Sequence, residues 1–208
     1  MTKLLFENLH VYQPPKELLA GEFEAPTIKA THHIPDCECI GFNYAMSCKR
    51  PENTGIHFFL DDRQFIRLWN TPDKYIPLLS KFQYICAPDF STYTDMPKVL
   101  QMYNHYRKHW LAAYWQDLGM TVVPTISWSS PDSFAWCFDG EPVGGVIAIG
   151  TAGTQGSKAS RAAFLTGYNA MMERLRPCEV LLFGKIPDGI TGNVRPMGDA
   201  VAQRFRGR

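Results

Sequence analysis

No apolar run in the sequence approaches the ~18–20 residues a membrane-crossing helix needs, so the expectation is a chain that stays off the membrane. Charge of one sign is also missing. Lys+Arg 21 against Asp+Glu 20 leaves a formal charge of +1, too little for a global field that would draw the protein onto phosphate backbones or anionic lipid. Any nucleic-acid site must therefore be a local patch. The opening stretch Met1–His10 is broken by Glu7 and lacks a small-residue cleavage pattern after it, which points to a cytoplasmic chain. No repeat of fixed period excludes solenoids and propellers. What is present is an ordinary globular composition, 45% hydrophobic and 20% charged over 208 residues, enough for one domain with a real core and a short appendage.

The six cysteines do not form the framework of a small secreted domain, and reduced thiols are expected. Cys86 and Cys137 lie in apolar, aromatic-rich strings and read as core. His32, His33, Cys37, Cys39 and Cys48 gather imidazoles and thiols in one stretch, but Cys-x-Cys with one distant thiol only partly meets the spacing of a zinc site.

Residues 1–38 are irregular, with Pro14-Pro15, Gly21 and Pro26, and read as an arm. Over residues 39–186 short apolar runs alternate with longer amphipathic stretches, the pattern of an α/β domain. Strands are expected at 39–46, 56–60, 82–87, 120–128, 145–150 and 179–184. About six mostly parallel strands would form a partial β/α barrel-like sheet, the alternative being an open three-layer sheet. The longest helix is expected from Asp95 as N-cap to Leu118, stopped by Gly119. Its face of Val99, Met102, Tyr103, Tyr106, Trp110, Ala113 and Tyr114 should meet the sheet, with His105, Arg107, Lys108 and His109 beside that face. Residues 187–208 read as a basic tail carrying Arg195, Arg204, Arg206 and Arg208, a weak electrostatic patch.

Ligands of parallel α/β sheets bind beyond the carboxyl ends of the strands, so polar residues there are the candidates. They are Asn43, Asp61, Asp62, Asp89, Ser91, Ser127, Trp128, Thr151 and Lys185. Asp61 and Asp62 could equally cap the helix they precede. Asp89 has no such duty, because Asp95 is expected to cap the next helix, and it is the favoured catalytic carboxylate. Together Asp89 and Asp61 or Asp62 could share a divalent metal with a substrate phosphate. The Gly-rich stretch 150–158 lacks the residue order of a Walker loop or a dinucleotide fingerprint. It remains a generic anion-binding turn with Thr151, Ser157 and Lys158 as donors, or a plain connector. Trp128 is the aromatic best placed for stacking on a base.

Phe59-Leu60-Asp61-Asp62, Trp69-x-x-Pro72-x-x-Tyr75, Pro88-Asp89-Phe90-Ser91-x-Tyr93, Gln101-x-x-Asn104-x-Tyr106-Arg107, Tyr114-Trp115-Gln116-x-x-Gly119, Val123-Pro124-Thr125-x-x-Trp128 and Cys137-Phe138-Asp139-Gly140 occur in this order. Over Ile56 to Gly184 the chain thereby resembles the bacterial and phage domain of unknown function numbered 4417. The resemblance implies occurrence in bacteria, phages and mobile elements, and no activity. Two functions fit the residues. One is an enzyme acting on a nucleotide or nucleic acid through strand-end carboxylates. The other is a non-catalytic protein that contacts a host protein or nucleic acid.

Overall fold

The computed structural model describes His10 and residues 18–198. Most of the arm's first seventeen residues, and Arg204, Arg206 and Arg208 of the expected basic tail, lie outside the described residues. A small antiparallel hairpin comes first, β1 (Leu19–Ala20) with β2 (Ala25–Pro26). Four parallel strands follow in chain order: β3 (Glu38–Gly41), β4 (Thr54–His57), β5 (Tyr84–Cys86) and β6 (Val122–Val123). Three more, β7 (Val146–Gly150), β8 (Glu179–Phe183) and β9 (Val194–Met197), form a second parallel sheet. A single parallel bridge, Thr125 to Ala148, carries the pairing from the first sheet to the second. No ladder joins β9 to β3 among the described residues, so the strands do not close into a barrel.

Side-chain alternation along these strands sorts the core. Ile147 and Ile149 face helix residues such as Phe164 and Met171, whereas Val146 and Ala148 face Cys39, Tyr84, Cys86, Val123, Leu181 and Met197 from the other strands. A period of two delivers one set to each face. Gly55 is required where it is: a Cβ there would lie 2.2 Å from the Tyr84 ring. Cys86 and Cys137 are buried as expected, and all six cysteines are free thiols.

Four helices cross between strands: α1 (Ile66–Asn70), α2 (Pro72–Leu79), α3 (Lys98–Asp117) and α4 (Lys158–Leu175). Two expectations for α3 are corrected. The N-cap position is Pro97, with no side-chain cap, and the Gln101 amide instead reaches back to the carbonyls of Tyr93 and Met96. The buried face differs too. Val99 and Leu100 are exposed, while Gln101, Asn104, His105, Lys108 and His109 are buried with Trp110, Leu111 and Trp115. From Gln101 to His109 one face of α3 meets backbone carbonyls that need donors, while Trp110, Leu111, Ala112 and Trp115 pack in the apolar core. A further difference lies at Val194–Met197, where β9 pairs with β8 inside the stretch read as a tail.

Candidate active site at the carboxyl ends of the strands

A parallel ladder puts every strand's carboxyl end on one edge, so the loops after β3 to β8 share a rim. Pro88 ends β5 because it has no amide to continue the ladder. Asp89 follows at once, and its carboxylate accepts no hydrogen bond from the described residues. It is part-buried by surface area yet densely surrounded. That burial pushes its carboxyl up to about 7. Asp62 adds to the rise and the Lys108 ammonium opposes it. A carboxyl poised near neutrality can both take and give a proton.

Asp62 is tied to the same loop. It accepts from the Ser91 hydroxyl at 2.8 Å and faces the Ser91 amide at 3.2 Å, which fastens the end of β4 to the end of β5. Asp61 turns away. It caps a short 3-10 turn through the Arg63 amide at 3.0 Å and pairs with the Arg63 guanidinium, whose hydrogen bond holds its carboxyl down at about 2. The structure thus brings Asp62, Asp89 and Ser91 together and leaves Asp61 on the solvent side.

The other candidates are dispersed among local duties. Thr151 is buried and donates to the carbonyls of Phe183 and Lys185. Ser157 forms a capping box with Ser160 at the start of α4, so its hydroxyl serves the helix. Lys158 is exposed, as is Asn43. Trp128 packs on Phe164 at 5.4 Å and covers Gly167, where a Cβ would come within 2.1 Å of the indole nitrogen. His32 and His33 are exposed, Cys39 is buried beside Tyr84, and Cys48 packs on the opposite core; these residues form no ligand cluster among the described residues.

Three rim residues come from α3, and sequence reasoning did not select them for chemistry. Asn104 donates to the Ser91 carbonyl at 2.6 Å. Arg107 lies over the Phe90 ring at 4.0 Å and donates to Asn104 Oδ1, while its Nε is buried without a partner. Lys108 donates to the Thr125 carbonyl at 2.9 Å and to Glu141 at 2.5 Å. Glu141 also faces His109 Nε2 at 3.0 Å. Burial works to raise the Glu141 carboxyl, but Lys108 and His109 outweigh it and hold the group below its ordinary value. The signal was legible: Gln101, Asn104, His105 and Lys108 recur at three and four, a polar stripe on one helix face.

The chain is 34% identical over 169 residues, 80% of its length, to the "Gene 1 protein" of Mycobacterium phage D29 and equally to that of Mycobacterium phage L5. It spans 62% of the D29 protein, less than two thirds, and 73% of the L5 protein. No solved structure matches it significantly. Among the described residues no helix is long and apolar enough to cross a membrane. Residues 18–199 match a family profile, and the chain belongs to that family, the Domain of unknown function (DUF4417).

Proposed function

We propose that this phage-type chain is an enzyme acting on a phosphate-bearing substrate, a nucleotide or a nucleic-acid end, with Asp89 as general acid and base. One observation carries the reading: a carboxyl at a strand end, held by a proline-stiffened loop, that no described residue hydrogen-bonds and whose proton is poised near neutral pH. Structural carboxylates are normally hydrogen-bonded, so an unpartnered one at a rim suits chemistry on a ligand. Arg107 supplies the anion contact. Its guanidinium is stacked on Phe90 and its Nε has no partner, so a donor remains for a phosphate oxygen. In the alternative role Asp62 and Asp89 would share a divalent cation with that phosphate, Asp89 then serving as a metal carboxylate rather than as acid and base, and Lys158, above the Gly-rich loop after β7, would reach a second phosphate. Sequential parallel strands bridged through Thr125 and Ala148 suit a partial barrel-like arrangement.

A thermal-shift screen of nucleotides and divalent metals tests this. A ligand held at 100 times its Kd stabilises by about 2.7 kcal/mol. The reading expects at least one phosphate ligand to stabilise the wild type. Arg107→Ala should abolish the shift, and Asp89→Asn should abolish any metal-dependent part of it. Shifts that survive both substitutions would refute it.

A second reading has its own observation. Tyr93, Val99 and Leu100 are exposed close together around the start of α3, which favours a non-catalytic contact with a host protein. Binding of a labelled single strand across a salt series separates the nucleic-acid version, since phosphate contacts predict a steep loss of affinity with salt.

A further inference from the structure

His105 and His109 stand one turn apart on α3 and face Glu141 from the loop after Asp139, with Lys108 between this trio and the Asp89 carboxyl. One ligand atom from each residue lies within 4.8 Å of the others, and all three residues are buried. The imidazole centroids are 4.2 Å apart. Carbonyl oxygens only accept, so hydrogen positions follow from the partners. His109 Nδ1 must donate to the Pro26 carbonyl at 2.7 Å, and His105 Nε2 must donate to the Asp139 carbonyl at 3.1 Å. Each ring therefore presents its other nitrogen, His109 Nε2 and His105 Nδ1, with a lone pair when neutral. His109 Nε2 meets Glu141 Oε1 at 3.0 Å. Two acceptors do not meet at that distance unless a cation, either a proton or a metal, lies with them.

Two more features distinguish this trio from an ordinary buried ion pair. Glu141 Oε2 is buried and has no hydrogen-bond partner, although its twin oxygen has two. An oxygen so placed is destabilising unless something binds it. The far nitrogen of each imidazole is fixed by a backbone carbonyl, the outer contact that orients metal-bound histidines. Gly140 makes that contact reachable: its φ is +75°, and a Cβ there would lie 3.0 Å from both His109 Nδ1 and the Pro26 carbonyl.

We propose that His105 Nδ1, His109 Nε2 and Glu141 bind a zinc-type divalent ion, a site that staples α3 to the β1–β2 hairpin and the 138–141 loop. Neutral imidazole and carboxylate in a set of three, with one position left over, suit zinc rather than a hard cation that prefers six or more oxygens. The position left over would take water as the fourth ligand. Lys108 stays on Glu141 Oε1 as the outer partner of the ligating carboxylate.

The test uses the full chain. Wild-type protein, stripped with chelator and then titrated with cobalt(II), should give the strong visible bands of a tetrahedral nitrogen–oxygen site, saturating at one ion per chain and displaced by zinc. His105→Gln and Glu141→Gln, checked for folding by circular dichroism, should each weaken binding at least ~10-fold. Because the wild-type spectrum stands alone, a variant that fails to fold does not weaken the test. The proposal is overturned if the wild type gives only the pale spectrum of octahedral cobalt, or if the variants bind as well as the wild type. A thiolate charge-transfer band, which would assign the ion to the cysteines, overturns it too.

Discussion

Asp89→Asn removes a group whose protonated form is favoured by folding. Its carboxyl rises from 3.8 to about 7 in the folded protein, so the native state keeps a proton that the unfolded chain has released. The sign follows from linkage: the contribution of Asp89 is intact below about pH 4, is lost as pH rises through about 7, and then stays lost. Taken in full, such a rise is worth ~4 kcal/mol. Asparagine has the same shape without the charge. At pH 8 the variant should therefore be more stable than the wild type by about 4 kcal/mol, or ~8–16 °C in Tm for a domain of this size. At pH 4 the two should coincide. Urea melts at pH 4, 6 and 8 measure the difference directly. A variant that is less stable at pH 8, or a difference that does not change with pH, would refute the reasoning and make Asp89 a structural acceptor.

Lys108→Met should be costly, because it strands the buried Glu141 carboxylate beside His109; a loss of about 3–5 kcal/mol is expected in urea unfolding, and under 1 kcal/mol would contradict the network. Ser157→Ala removes a capping-box hydroxyl from α4 and should cost about 1 kcal/mol, with Ser157→Asp restoring most of it. Gly55→Ala drives a methyl into the Tyr84 ring and should lower stability by about 1–3 kcal/mol, visible as a drop in Tm. Glu141 works in the direction opposite to Asp89. Its lowered carboxyl contributes stability above its ordinary value, near 4.5, that is lost as pH falls through the lowered one, so Glu141→Gln should flatten the acid limb of the melting curve.

Strands such as Val146–Gly150 and Glu179–Phe183 were legible because strands covered on both faces are written as unbroken apolar runs. Val194–Met197 was not. Its Arg195 and Pro196 look like loop, yet proline is tolerated where only one side of a strand is paired, and Arg195 is held by Glu179 at 2.8 Å. Asp89 stood out in the sequence because a proline fixes where the ladder must end. The residues around it were overlooked, although the polar stripe from Gln101 to Lys108 was readable, because apolar periodicity marks a buried face only where the neighbour is apolar. At the strand ends the neighbour is a row of carbonyls and carboxylates, and there Asn104, Lys108 and His109 are the residues that bury well. Glu141 lay in what reads as a turn, and nothing in its local sequence distinguishes a solvated turn acid from the partner of Lys108 and His109 on a distant helix.

The central claim is that Asp89 is an acid–base group poised near neutrality at the rim, and a carboxyl-carbon NMR titration of the wild type, with Asp89→Asn for assignment, measures it most directly. The account predicts a carboxyl resonance that titrates near pH 7 and is absent from the variant; titration of that resonance near pH 4 would contradict it.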